Sequence, residues 1–408
     1  MPEVRPFPGI LYQVPPRDLP KVLAPPYDVI SPAAQRELYE RDPRNVVRVI
    51  LNRTPGEAGY AEAGATFRRW MEEGVLAADS APAFYVLEQA FEALGRTLVR
   101  HGLFARFRAE DPERGVILPH EHTRKGPRED RHRVLKATRA NFSPIFLMFP
   151  DPEGRFAAAV AGVAAGPPLL TCTDDGGVAH RLWRVAGGAA SAFERSLAGA
   201  KAYIADGHHR HATALRHRDE VGPEGAWTMG YFTPLEGPGL VVLPYHRILS
   251  RGPSLLEARR ALEGRFRVAD APSIGAAASG AARSTAPYAF GLAQPGGGAL
   301  VAEALPAAAR LLPAEAHPSL RALDTYFLHH VVLSALFGVA DDAVDYVHSQ
   351  AEAEDAVGRG ACRLAVLMRP TPVGQIVDVA EAGESMPAKS TFFHPKVPSG
   401  MVIHPLVV

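Results

Sequence analysis

Chemistry-bearing side chains crowd one short stretch of this chain: Asp206, Gly207, His208, His209, Arg210, His211 and His217. An apolar run from Ala202 to Ala205 precedes it, and Ala212, Leu215 and Arg216 follow at helical spacing, so the stretch reads as strand, tight turn and helix. Such a junction suits an anion. The first N–H groups of a helix have no intrahelical partner, and the helix dipole places partial positive charge there. Gly207 lets the backbone approach a ligand closely, and Arg210 carries a planar fork matched to phosphate oxygens. Phosphate is the expected guest, with His208 as a further contact and His209 as a candidate for proton transfer. Asp206 stands apart, because a carboxylate beside a phosphate is repelled unless it caps the helix, orients a histidine, binds a metal or accepts a proton.

Two further constellations are polar enough to share a site. The first runs from His120, Glu121 and His122 through Arg124, Lys125, Asp130, Arg131, His132 and Arg133 to Asn141 and Ser143. A solvated basic helix over 128–139 is the plain reading. The neighbouring histidines and Glu121, and the polar turn that leads into an apolar strand, make it a second wall of the site instead. His120, Arg124, Arg131, Asn141 and Ser143 are therefore expected to hold substrate, and Glu121 to be the alternative proton acceptor to Asp206. The second constellation is Lys389, Ser390 and Thr391, an ammonium and two hydroxyls in a loop that carries a second lysine, Lys396, shortly after. No Gly-rich loop precedes it, so the Walker A pattern fails, and the expectation is a phosphate contact. All three stretches are expected to converge on one cleft.

The elements that must position these groups are legible in outline. Ser31 and Pro32 look like the N-cap and first position of a helix, after a proline-rich segment from Pro6 that reads as a loop laid over a domain face. Residues 46–51 read as a strand, 59–73 as a helix closed by Gly74, and 83–90 with 97–108 as an antiparallel hairpin. Residues 155–166 and 272–299 are rich in Ala and Gly and read as peripheral helices, loops or linkers. Residues 239–249 read as one buried strand with His246 and Arg247 at its polar tip. Residues 318–337 read as a single amphipathic helix, and 362–368 and 375–380 as strands. The division expected is an N-terminal α+β region over 1–112, a core with the turn over 113–250, and a C-terminal α+β region over 251–408 that returns the Met386–Thr391 loop to the site.

The 408 residues are 47% hydrophobic and 22% charged, which is enough for two or three globular domains. Lysine plus arginine balance aspartate plus glutamate at a formal net charge of zero, so no nucleic-acid partner is expected. Cys172 and Cys362 lie far apart and outside any CxxC pattern, which argues against a disulfide framework and a cysteine zinc site. With no apolar leader and no run near the roughly 20 residues that span a bilayer, the expected location is the cytoplasm, away from membranes.

Five stretches, taken together and in order, resemble the domain-of-unknown-function family called DUF1015: Pro25 to Ser31, Leu118 to Glu121, Asn141 to Phe146, Ile204 to Arg210 and Met386 to Thr391. The family pattern has Tyr where this chain has His211, and again at Phe393 or His394. The family name implies no reaction. The turn at Asp206–Arg210 also resembles the phosphate-binding turn of the ParB and sulfiredoxin superfamily, which includes nucleotide-binding partition proteins, sulfiredoxins and free serine kinases. That resemblance implies an α+β fold with mixed sheets, a ParB/sulfiredoxin-like core around the strand–turn–helix and additional α+β lobes. It further implies phosphoryl transfer to or from a small hydroxylated metabolite, free serine first, with ATP, ADP or pyrophosphate as donor and Mg²⁺ on the phosphates. Two alternatives stand beside it: a nucleotide-binding regulator without turnover, and a metal-dependent hydrolase using His120, His122, His208 and His209, although no HExxH spacing is present.

Overall fold

Alternating apolar residues in Phe84–Ala93 and Arg96–Arg108 fold as the expected hairpin, closed by Leu94 and Gly95, both at positive φ (54° and 74°). In the computed structural model, which describes residues 2–406, this hairpin lies within a nine-stranded mixed sheet. The strands run in the order Ile117–Leu118, Ala202–Asp206, Ile145–Phe149, Trp227–Pro234, Arg96–Arg108, Phe84–Ala93, Ala179–Val185 and Leu170–Thr173, with Val4–Arg5 also paired to Arg96–Arg108. Phe156 of helix Arg155–Ala164 and Phe193 of helix Ala190–Leu197 bury against Phe84, Leu103, Phe149 and Phe232 of the sheet. Helices Glu57–Glu72 and Lys125–Thr138 approach so closely that a Cβ on Gly64 would lie 2.4 Å from the Ala137 carbonyl oxygen.

The chain divides into two compact units. The first holds this sheet and comprises the described residues up to Pro119, Thr123–Val241 and the C-terminal segment from Pro395; the second comprises His120–His122 and Val242–His394. The sequence cut at 112 thus lies inside the first unit. The proline-rich segment of that unit is an ordered loop: Ser399 N donates to Ala24 O at 2.8 Å, and Ser31 Oγ caps helix Pro32–Arg41 by accepting from Ala34 N at 3.2 Å.

The second unit is built on a six-stranded antiparallel sheet in the order Phe266–Ala271, Ala299–Ala304, Ala289–Ala293, Leu364–Met368, His246–Leu249 and Val344–Val347. Period-two alternation sorts its side chains onto two cores. Ile248, Ala365 and Leu367 pack with Ala277, Ala353 and Val357 of helices Ile274–Arg283 and Gln350–Gly358. Leu249, Leu364 and Val366 pack with Leu255, Leu262 and Phe327 on the other core. Both units mix helices with sheets, so the fold is α+β. No helix among the described residues is long and apolar enough to cross a membrane.

Several local expectations are overturned. Residues 46–51 form no strand: Val47–Ile50 is a helical turn whose first amide donates to Asn45 Oδ1 at 2.9 Å, and Val46, Val47, Val49 and Ile50 are all buried, which erases any alternation. Residues 375–380 are helical within Val373–Glu381, with Ile376, Val379 and Ala380 buried at spacings of three and four. The single helix over 318–337 is three pieces, Pro318–Arg321, Asp324–Phe327 and a π-helix Leu328–Leu336, broken where Leu323 adopts extended backbone and Asp324 pairs with Arg369. Pro244 splits the strand at 239–249 into Val241–Leu243 and His246–Leu249.

Residues 272–299 are not peripheral but include the inner strand Ala289–Ala293. Their small side chains serve contact, since a Cβ on Gly291 would lie 3.0 Å from the Ala277 carbonyl carbon. Gly291→Val should therefore cost about 1–3 kcal/mol through overpacking, read as a lower denaturant midpoint in guanidinium unfolding. An unchanged midpoint would show that the helix can move off the strand freely.

Candidate functional site

Strand Ala202–Asp206 pairs antiparallel with Ile145–Phe149, and its register shifts between Ile204 and Asp206. Such an irregularity re-aims the residue that follows it. Gly207 then turns at φ 95°, and helix His208–Val221 begins with no side-chain cap and no acidic residue in its first turn. The open helix start expected from the sequence is therefore present.

Arg210, one turn in, folds back over the glycine: a Cβ there would lie 2.9 Å from Arg210 Nε and Cζ, so this approach needs glycine for space as well as for φ. Arg210 Nη2 donates to Asp206 Oδ2 at 2.6 Å, and Nη1 donates to Pro144 O. Lys396 Nζ donates to the other oxygen, Asp206 Oδ1, at 3.0 Å. Burial alone would raise the Asp206 pKa, but the Lys396 and Arg210 charges outweigh it and hold the carboxyl well below the usual carboxylate range. A carboxylate so stabilised is a weak proton acceptor at neutral pH. Of the four roles the sequence allowed it, Asp206 takes another: it aims two cations at the turn.

Lys396 reaches this position because its backbone is tied down. Buried Arg100 donates to Pro395 O and lies over the Phe146 ring at 4.8 Å, while Gln89 Nε2 donates to Lys396 O at 3.3 Å. In the sequence Lys396 stands out only as a second lysine near Lys389. Its partner is 190 positions away, and no local pattern links them.

The histidines after the turn divide by environment. His209 Nε2 accepts from Arg124 N at 2.9 Å, which leaves the proton of the neutral ring on Nδ1. Burial lowers its pKa, and Asp28 from the proline-rich loop opposes the shift. His209 thus stands neutral and fixes the chain at Arg124. His208 is buried at the helix start, near enough for its charge to act on Asp206. His211 is buried, and its pKa falls to about 4.

A cavity of about 60 Å³ is lined by Tyr27, Arg131, Asn141, Ser143, Arg210 and Thr213, among others. The expected substrate contacts Arg131, Asn141 and Ser143 therefore do gather beside Arg210, though each is engaged by the protein. Arg131 lies 3.9 Å from the Tyr27 ring centroid, donates to Ile50 O at 2.7 Å and pairs with Asp130. Asn141 Oδ1 accepts from Met229 N at 3.2 Å and lies 3.0 Å from His404 Nδ1, and the hydroxyls of Ser143 and Ser399 are 2.6 Å apart. A second cavity of about 220 Å³, lined by Asn52, Thr54, Tyr60 and Asp130, shares Arg131 as a wall.

The remaining candidates belong to the second unit. Met386 N donates to His120 O at 2.8 Å, Glu121 forms a bridge with Met386, and buried His120 places Nε2 3.3 Å from Thr391 Oγ1. Only the first three residues of the stretch that begins at His120, 120–122, thus meet the stretch 389–391 in that unit. Ser390 is buried, donates to Pro387 O at 2.6 Å and lies 3.1 Å from Thr325 Oγ1, an internal role. Lys389 is exposed, with Nζ 5.1 Å from the Tyr245 ring centroid. Among the described residues no group of three or more His, Cys, Asp or Glu side chains could hold a metal ion.

Removing one partner of the Asp206 cluster gives a direct test. Lys396→Met should lower stability at pH 7 by about 1.5–3 kcal/mol, the range for a hydrogen bond to a charged group. Because the folded-state pKa of Asp206 lies below its unfolded value, this stabilisation is present above the unfolded pKa, complete by about pH 5, and is lost as pH falls through the folded value. Urea unfolding of wild type and variant should therefore differ most at neutral pH and converge in acid; equal stabilities at pH 7 would deny the ion pair any structural weight.

The chain is similar in structure to a free serine kinase mutant in complex with AMP, at 12% identity and a TM-score of 0.37 over 73% of this chain and 92% of that one. It is also similar to a conserved hypothetical protein from Pyrococcus furiosus, at 14% identity and a TM-score of 0.37 over 73% and 93%. A third likeness is to SbnI with a C-terminal truncation from Staphylococcus aureus, at 11% identity and a TM-score of 0.35 over 72% and 85%. No curated protein matches the chain. The family model described as protein of unknown function (DUF1015) matches residues 4–326, and the chain belongs to that family.

Proposed function

We propose that this protein transfers a phosphoryl group to or from a small hydroxylated metabolite and holds the phosphate at the Gly207 turn. The observation that supports it most is the pairing of an uncapped helix start with Arg210, held against Gly207 by Asp206. Phosphoryl transfer depends mainly on positioning and on neutralising charge, and a helix N-terminus with Arg210 and Lys396 beside it supplies both. Asp206 is the positioning residue. Of the two carboxylates considered as proton acceptor, the ion pairs of Asp206 disfavour it, so Glu121 is the one to vary first.

ATP, ADP or pyrophosphate is the proposed donor, and free serine the acceptor to try first, following the resemblance of the turn. Mg²⁺ does not fit the residues of the turn, since both oxygens of Asp206 are occupied by cations. Any such ion belongs to the donor's own phosphates, and no step here depends on it.

One observation favours a second reading. A turn without a free proton acceptor can bind a nucleotide and do nothing further, as a regulator would. Incubation with each donor and a panel of small alcohols and amino acids, with products read by mass spectrometry, separates the two. Transfer predicts a phosphorylated product from at least one pair, and a loss of about ten- to hundredfold in kcat/KM for Arg210→Ala, the worth of one charge-assisted contact. Tight nucleotide binding with no product from any pair favours the regulator.

A further inference from the structure

Arg247, on strand His246–Leu249 of the second unit, is a fully buried cation that makes no ion pair with Asp or Glu among the described residues. Its guanidinium donates through Nη1 to Tyr245 O and through Nη2 to Lys389 O at 3.3 Å, and lies 5.4 Å from the Tyr346 ring centroid. Nε is buried without a partner. Carbonyl dipoles and a ring face leave the charge uncompensated, and a buried charge is costly unless paired. Burial accordingly lowers its pKa to about 10.

Two neighbours share the same imbalance. Lys389 holds a left-handed backbone at φ 59°, a conformation that side chains other than glycine rarely adopt and that concentrates at functional sites. Its ammonium faces the Tyr245 ring and pairs with no carboxylate among the described residues. His329 has a buried Nε2 without a partner, and its Nδ1 lies 3.9 Å from Asp341, whose side chain is 96% exposed. Burial, followed by the Arg247 charge, depresses its pKa to about 4, so at pH 7 it is a neutral ring with one N–H to donate. It sits on the π-helix Leu328–Leu336, a widening of the helix that occurs often at functional sites.

We infer that Arg247, with Lys389 and His329, forms an oxyanion site within the second unit for a small molecule bearing a phosphate or carboxylate group. Nε and Nη2 make one edge of the guanidinium; the first is unpaired and the second holds a long bond to a carbonyl. A bidentate oxyanion takes that edge, displaces the Lys389 carbonyl and meets the Lys389 ammonium as the strained loop relaxes. The site is drawn from residues of the second unit alone and stands whether or not the chain transfers phosphate.

The test uses the full chain carrying Arg210→Ala, which removes the guanidinium at the turn, titrated calorimetrically with inorganic phosphate and separately with acetate. At least one of the two anions should bind saturably, Arg247→Met should weaken it tenfold or more, and Lys389→Ala several-fold. Binding of phosphate alone identifies a phosphoryl group as the ligand chemistry, and binding of acetate alone a carboxylate. Without ligand, Arg247→Met should raise Tm, because an uncompensated buried charge is gone; a purely structural arginine would lower it. The proposal is overturned if neither anion binds, or if binding is unchanged in Arg247→Met. Should that variant fail to fold, unchanged binding in Lys389→Ala overturns it equally, since Lys389 is exposed and its removal leaves the core intact.

Discussion

A nearly buried carboxylate gripped by two cations organises the first unit. Asp206 ends a strand of the mixed sheet, Arg210 begins the helix after the turn, and Lys396 arrives on the C-terminal segment, so one ion cluster ties three separate pieces of chain together. Removing charges from water is costly and is offset only when geometry and hydrogen bonds are good. Each carboxylate oxygen here accepts from a different cation, which meets that condition. One negative charge against two positive ones leaves the cluster cationic, at the end of a helix dipole that is itself positive. The anion affinity we propose for the turn rests on the same cluster that ties these three pieces of chain together.

The second unit shows the opposite treatment of a buried charge. Arg247 enters the interior without a carboxylate, next to a lysine in strained backbone and a histidine on a π-helix. In the first unit Asp206 pairs with both cations; in the second no carboxylate among the described residues pairs with Arg247 or Lys389. Arg247 stands on the sheet face that carries Leu249, and Tyr346, whose ring its guanidinium lies over, packs against the core on that face.

The sequence was most legible where one local rule acted alone. The change from an apolar run to helical spacing across Asp206 and Gly207 marked the strand, turn and helix, and the Ser31 cap and the hairpin at Leu94–Gly95 followed from residue types within a few positions. Non-local partners were not legible. Ser143 looked like a substrate contact because its partner, Ser399, lies 256 positions on, and Asn141 because His404 is equally remote. Burial on every side hid the helical turn at Val47–Ile50, and the Ala/Gly-rich stretch around Gly291 looked peripheral because low side-chain volume resembles a linker until the helix packed on it is known. Proton acceptance is one of the roles the position of Asp206 in the sequence leaves open; the two cations on its oxygens, one remote from any local pattern and one folded back over the turn, disfavour it.

The protonation state of Asp206 bears most directly on this account. Carbon-13 NMR of the side-chain carboxyls, with the Asp206 signal assigned by its absence in Asp206→Asn, follows that one group through a pH titration. Clamped between Lys396 and Arg210, it should stay ionised from neutrality down to below pH 3, under the ordinary aspartate range near 3.9. A midpoint between pH 5 and 8, as a general base would show, would contradict the assignment of Asp206 as the residue that positions the cations.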